Sequence, residues 1–337
     1  MPTDVKVSVA MITYNHERFI VQALESVFMQ ETDFLVELVI GEDCSTDGTR
    51  AIVCEYADRY PGRIRLLLPE RNQGMIANYI ATLNACRGQY IAFLEGDDYW
   101  TDPRKLQKQV DYLENHPDYS TCFHRAVCLD QINGENTGHI LGPRIIQPSY
   151  STDDLLRYGN FAPTASLVFR KSFLPQLPEW FPQCPIGDFP LQVLLSQKGP
   201  MGFIDETMSL YRLHCGGLWS SADSTFRIET SLVYLLLLGK NLDLTKRDSW
   251  KSYISRIYLR KYKINISRCQ LVSASISAYK SLLFAPKGTI LSILLQVMYI
   301  TDMALLVSRS ARIIRHKGVR SFMRIALSRL KKKVSIG

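Results

Sequence analysis

Three carboxylates fall within four residues at Glu95-Gly96-Asp97-Asp98, directly after the apolar run Tyr90-Ile-Ala-Phe-Leu94. Like charges this close repel, and each disfavours ionisation of the next. Such a cluster at the end of a buried segment suits a hard divalent cation, Mg²⁺ or Mn²⁺, which takes few protein carboxylates and keeps positions for phosphate oxygens. The alternative is a helix-capping loop with solvated charges. Farther along stand Asp188, in Cys184-Pro-Ile-Gly-Asp-Phe-Pro190, and the stretch Tyr211-Arg-Leu-His-Cys-Gly-Gly217. A carboxylate can take a proton from an attacking hydroxyl, and a flexible loop carrying Arg212 and His214 can fold over a diphosphate leaving group. On the residues alone, Asp188 can equally cap the helix before Leu191, and His214 can be a satisfied core histidine.

The elements around these residues must deliver them to one place. Val5 to Ile12 alternates as a strand does; after Thr13-Tyr14-Asn15-His16 the apolar spacing changes to Phe19, Ile20, Ala23, Leu24, Val27 and Phe28, one face of a helix. The unit repeats. Leu35 to Ile40 is a second strand, and Gly41-Glu-Asp-Cys-Ser-Thr-Asp-Gly-Thr49 leads into a second helix, with Ser and Thr suited to capping it. Ile64 to Leu68, Met75 to Cys86 and Tyr90 to Leu94 follow as strand, helix and strand. This order predicts a parallel, doubly wound sheet with its ligand at the carboxyl ends, where Tyr14 and Asp43 stand after the first two strands. An aromatic ring and a carboxylate there suit a nucleobase; the alternative for Asp43, Ser45 and Thr46 is a helix cap. A helix over Arg104 to Asn115 stops at Pro117, and to about Gly217 the pattern reads as antiparallel strands and loops closing over the ligand. Beyond Trp219 the text turns helical, at Leu232 to Leu238, Tyr253 to Tyr262 and Ala274 to Phe284.

Taken in order, Val7-Ser-Val-Ala-Met-Ile-Thr-Tyr-Asn15, Gly41 to Thr49, Asn72-Gln-Gly74 with Asn78, Arg87 to Asp98, Gly187-Asp188 and Tyr211 to Gly217 resemble family 2 glycosyltransferases of the GT-A fold. The resemblance runs over roughly residues 5 to 220. It implies an α/β mixed sheet with helices on both faces, and inverting transfer from a nucleotide-sugar donor, commonly a UDP-sugar. It assigns Tyr14, Asn15, Asp43, Asn78, Glu95 and Arg212 to the donor, Asp97, Glu95 and His214 to the metal, and Asp188 to the general base. Glu95 stands where the family's DxD motif has its first Asp, one methylene longer, and Asp98 adjoins the motif.

The chain has 337 residues, 46% of them hydrophobic, enough for a large core and an appendage. The expected organisation is a GT-A domain over 1–220, a helical extension over 221–288 and an apolar, then basic tail over 289–337. Eight cysteines without a CxxC pair exclude a zinc ribbon or disulfide scaffold and fit a reducing cytoplasm, and no signal peptide is read at the N-terminus. The net charge of +8 is misleading as an average: the last 29 residues carry ten Lys or Arg and no acid, leaving the remainder near −2. Thr289 to Val307 is interrupted by Gln296 and Asp302, which disfavours a clean membrane span. Phe322, Ile325, Ala326 and Leu330 oppose Arg320, Arg324 and Lys331, the pattern of a basic helix on anionic lipid. These features predict peripheral attachment to the cytoplasmic face of a membrane and a polysaccharide or lipid-linked acceptor. No nucleic-acid motif accompanies the charge. A sugar-nucleotide nucleotidyltransferase would carry a Gly-rich loop where Thr13-Tyr14-Asn15-His16 stands, and a dehydrogenase would carry GxGxxG after a strand. A non-catalytic nucleotide-sugar scaffold is the remaining rival.

Overall fold

Period-two alternation gives way to helical spacing three times before the acidic loop, and each change marks a real element. The computed structural model describes residues 4–130, 138–173, 176–268 and 270–286, with isolated positions up to 297. The first half comprises β1 (Val7–Thr13), α1 (Ile20–Phe28), β2 (Val36–Glu42), α2 (Thr49–Arg59), β3 (Ile64–Leu67), α3 (Met75–Ala85) and β4 (Tyr90–Phe93). β1 pairs in parallel with both β2 and β4, and β2 with β3, so the order β3-β2-β1-β4 is that of a doubly wound sheet. Val7, Val9 and Met11 of β1 meet Ile20, Ala23 and Leu24 of α1 in the buried core. Each of these side chains larger than alanine contributes about 1.5–3 kcal/mol on burial. On the opposite face, Tyr79 of α3 stacks on Phe93 of β4 with centroids 5.2 Å apart.

β5 (Tyr99–Trp100), α4 (Lys105–Asn115), β6 (Thr121–Asp130), β7 (Ile140–Leu141), β8 (Ser149–Tyr150), α5 (Thr152–Tyr158), β9 (Val168–Arg170), α6 (Asp188–Ser196) and β10 (Met201–Leu213) follow. They extend the sheet as β4-β9-β6-β10-β5. The expected run of antiparallel strands holds for β9 and β5 but not for the longest pair: β10 lies parallel to β6 over thirteen and ten residues. Two register shifts between Ile204 and Ser209 break the alternation of β10, and the exposed Asp205 and Glu206 fall there.

The chain divides into two compact units, Met1–Thr245 and Lys246–Gly337. α7 (Ser224–Asn241) therefore belongs with the sheet, although the sequence placed a boundary at 220. In the second unit α8 (Asp248–Ser267) and α9 (Leu271–Leu283) bury Leu259, Tyr262, Ala274 and Ala278, and Ser255 and Ser281 donate to one another's carbonyls at 2.7 and 2.9 Å. The expectations for the apolar and basic tail fall on residues outside the described ones, apart from the isolated positions. Among the described residues, no helix is long and apolar enough to cross a membrane.

Candidate active site

Gly96 brings the acidic loop against the end of β1. Its N–H donates to the Ile12 carbonyl at 3.0 Å, and a Cβ there would lie 2.6 Å from Thr13 Oγ1 and 3.0 Å from His16 Nδ1. Only glycine permits that approach. Asp97 thereby comes between two imidazoles: its Oδ2 is 3.0 Å from His214 Nε2 and 3.7 Å from His16 Nε2. Burial opposes ionisation of Asp97, but the two imidazoles hold its carboxyl below the usual range. Burial lowers the pKa of His16, so that ring favours its neutral form. Asp98 is enclosed; its Oδ1 accepts from the Arg212 N–H at 2.9 Å, and its Oδ2 has no partner among the described residues.

Arg212 does not lie in a flexible loop, as its neighbouring glycines suggested. It is the penultimate residue of β10 and is 3% exposed. Its guanidinium donates to the Asp97 carbonyl and to Gln22 Oε1, and sits 4.6 and 5.2 Å from the ring centres of Tyr99 and Phe19. The two shifts in β10 let the strand arrive with Arg212 facing the acidic loop. His214 follows the strand end and packs on Phe19 at 4.6 Å.

Asp188 opens α6, so it is indeed the first residue of a helix, and Asn160 Nδ2 donates to its Oδ2 at 2.7 Å. Burial raises its carboxyl, against the hydrogen bonds from the Phe189 N–H and Asn160. Glu95 is pushed up to about 8 by burial, then by the charges of Asp97 and Asp188. Tyr79 supports this region: a Cβ on Gly187 would come within 2.8 Å of its ring, and its buried hydroxyl has no partner among the described residues.

The residues expected at the donor are more knitted together than the sequence indicated. Asn15, at φ 55°, donates through its N–H to Ser45 Oγ at 2.9 Å, and its Oδ1 accepts from the Thr46 N–H at 2.8 Å. Thr49 Oγ1 accepts from the His16 N–H at 2.8 Å. Ser45 and Thr46 therefore join the β1 and β2 loops instead of capping α2, whose N-cap position is Gly48 with no side-chain cap. Asp43 accepts from the N–H groups of Gln73 and Gly74 at 2.7 and 2.9 Å, bracing the start of α3. Asn78 is buried and donates to the Gly41 carbonyl at 2.7 Å. Tyr14 is left 42% exposed at the strand ends, open to a stacking partner.

Among the described residues, no three His, Cys, Asp or Glu side chains are grouped to hold a metal ion by themselves. Asp97 with His214 supplies an incomplete oxygen and nitrogen set, and the buried Asp98 Oδ2 in the same loop has no partner among the described residues. That set fits a cation whose remaining positions are filled by substrate phosphates.

His16, Gln22, Tyr79 and Asn160 were missed by the sequence reading. Only His16 carried a signal, since it follows the strand end beside Tyr14; the other three lie on helices or in a loop with no motif.

A parallel sheet of order β3-β2-β1-β4, an acidic loop after β4 and a carboxylate at the start of α6 define a GT-A architecture. Residues 8–174 match the model for glycosyl transferase family 2, and the chain belongs to that family. An uncharacterised Mycobacterium tuberculosis protein is 40% identical over 215 residues, 64% of this chain and 61% of the relative's length. Staphylococcus aureus TarS 1–349, solved with UDP-GlcNAc, superposes with TM-score 0.63 at 17% identity over 93% of this chain and 92% of its own. The mannosyltransferase PcManGT of Pyrobaculum calidifontis, solved with GDP-Man and Mn²⁺, gives 0.54 at 15% identity over 95% and 84%. At these identities the two structures establish the fold.

Proposed function

We propose that the protein is an inverting glycosyltransferase that moves a sugar from a nucleotide-sugar donor, a UDP-sugar first, to a hydroxyl of a polysaccharide or lipid-linked glycan. The carrying observation is the pairing of Asp97 with His214 at the end of β4. Family membership and the donors bound in the two structural neighbours support the same reading.

The ring of Tyr14 and the β1 and β2 loops knitted by Asn15 receive the nucleoside. Asp43 fixes the β2 end and Asn78 supports it from α3. Asp97 and His214, with Glu95 nearby, would hold a Mg²⁺ or Mn²⁺ ion. Such an ion, when bound, neutralises the diphosphate and stabilises it as a leaving group. Arg212 keeps the Asp97 backbone in place. Asp188 takes the proton of the acceptor hydroxyl, whose oxygen forms the new bond to the anomeric carbon. The bond from that carbon to the diphosphate oxygen breaks, the nucleoside diphosphate leaves with the electron pair, and attack from the opposite face inverts the configuration. The acceptor class and the attachment to an anionic, cytoplasmic membrane face rest on the basic tail of residues 309–333.

Thermal shift of wild type and Asp97→Ala against nucleoside diphosphates, with and without Mn²⁺, tests this reading. A metal-dependent stabilisation by one nucleotide in the wild type, lost in the variant, is expected. No metal-dependent shift with any nucleotide in folded wild type would overturn it.

A further inference from the structure

The hydrogen bond from Asn160 to Asp188 depends on which end of the Asn160 amide faces the carboxylate: the Nδ2 end donates to it, whereas the Oδ1 end would repel it. Asn160 is exposed, in the loop that follows α5, where a side chain is free to turn over. Gln192 removes that freedom. It stands one turn along α6 from Asp188, on the same face of the helix, and is fully buried. Its Nε2 donates to the Ala162 carbonyl at 3.2 Å and to Asn160 Oδ1 at 3.3 Å. A backbone carbonyl can only accept, so the Ala162 oxygen dictates that the Nε2 end of Gln192 faces the loop. Asn160 must then offer Oδ1 to Gln192, which leaves Nδ2 to donate to Asp188 Oδ2 at 2.7 Å. One fixed carbonyl thus orients two amides and a carboxylate in series.

Gln192 also carries a penalty that packing does not explain. Its Oε1 is buried with no hydrogen-bond partner among the described residues, on a helix that buries Phe189, Leu191, Val193, Leu194 and Leu195 around it. Buried polar atoms are as a rule paired, and a methionine of similar length would leave no orphaned acceptor there. The contribution of the amide therefore comes through its Nε2. That atom has two acceptors, and they define two distinct roles: anchoring the loop at Ala162, or setting the Asn160 amide for Asp188.

We propose that Gln192 is a positioning residue for the transfer step: by donating to Asn160 Oδ1 it fixes the Asn160 amide with Nδ2 toward Asp188, and so holds the carboxylate in the orientation that takes the acceptor proton. This rests on the glycosyl-transfer reading above. Gln192 acts through Asn160 and on the base, so it changes the rate of transfer and not the affinity for the donor.

The test is the steady-state release of nucleoside diphosphate from UDP-N-acetylglucosamine, UDP-glucose and GDP-mannose, with Mn²⁺ and with water as acceptor. Wild type, Gln192→Met, Asn160→Ala and the double variant are compared on the donor that wild type turns over fastest. In Gln192→Met, kcat is expected to fall about tenfold, the worth of one hydrogen bond, with KM for the donor within about twofold of wild type. In the Asn160→Ala background the same substitution is expected to change kcat by less than about twofold, because the amide it acts through is gone. An unchanged kcat in Gln192→Met, a raised KM in place of the lowered kcat, or an equal fall in both backgrounds would overturn the proposal while leaving the glycosyl-transfer reading standing. Wild type that releases nucleoside diphosphate from none of the three donors would bring down that reading, and the proposal with it. If Gln192→Met does not fold, neutron diffraction from wild-type crystals takes its place. Deuterons must then lie on the Asn160 atom facing Asp188 and on the Gln192 atom facing Ala162, and either amide found reversed would overturn the proposal.

Discussion

Arg212→Met removes a cation that the structure uses as an internal brace. Two charge-assisted hydrogen bonds are lost, to the Asp97 carbonyl and Gln22 Oε1, at about 1.5–3 kcal/mol each. Two cation–π contacts, at 4.6 and 5.2 Å, add about 0.5–2 kcal/mol each. Against this, the variant no longer buries a guanidinium, and Met refills most of the volume, which recovers a large part of the loss. The net expectation is about 2–4 kcal/mol of destabilisation, a fall in Tm of about 4–16 °C for a unit of this size. The Arg212 N–H bond to Asp98 survives, so β10 should remain in the sheet while the Asp97 backbone loosens. Thermal unfolding measures the first effect, and the Mn²⁺ concentration needed for nucleotide binding measures the second, with Arg212→Lys falling between. An Arg212→Met protein with wild-type Tm and wild-type metal requirement would refute the claim that Arg212 positions the acidic loop.

Glu95 provides a pH signature: its carboxyl is raised from 4.5 to about 8, so in that window the folded state keeps a proton that the unfolded state has lost. Metal-free protein should therefore lose stability as pH rises from about 4.5 to 8, and Glu95→Gln should flatten that fall in pH-dependent unfolding. Asn160→Ala removes a hydrogen bond that favours ionised Asp188, so the acidic limb of the kcat/KM profile should move to higher pH; an unmoved limb would separate Asn160 from the base. Lys105 is buried with its Nζ 4.0 Å from the Trp100 ring centre and no hydrogen-bond partner among the described residues. Lys105→Met should accordingly raise stability by about 1 kcal/mol at neutral pH, read from denaturant unfolding.

The parallel half of the sheet was legible because each strand and helix carries its own period, and because the carboxyl ends of parallel strands face one way. Asp97 stood out for the same reason, following an apolar strand, whereas Asp188 was read through its place in the ordered series of motifs and on its own residues looked like a helix cap. Arg212 was misplaced in a loop because its strand loses alternation at the Ile204 to Ser209 shifts, which no local pattern encodes. Asn15, Ser45 and Thr46 were recognised as an important pair of loops, but their bonds run between the loops across about thirty residues of chain. Asn160 and Tyr79 reach the site only after folding; nothing beside Asn160 marks it, and Tyr79 carries no signal beyond its neighbour Asn78.

The most direct test of the account is the rate at which nucleoside diphosphate is released from the bound nucleotide sugar in the presence of Mn²⁺ and acceptor, for wild type and Asp188→Asn. Turnover is expected for the wild type and a loss of about 10²–10⁴-fold for the variant, with donor affinity unchanged. Equal turnover by the two proteins would remove Asp188 as the base. Donor binding without turnover in either would identify a nucleotide-sugar scaffold and contradict the enzymatic reading.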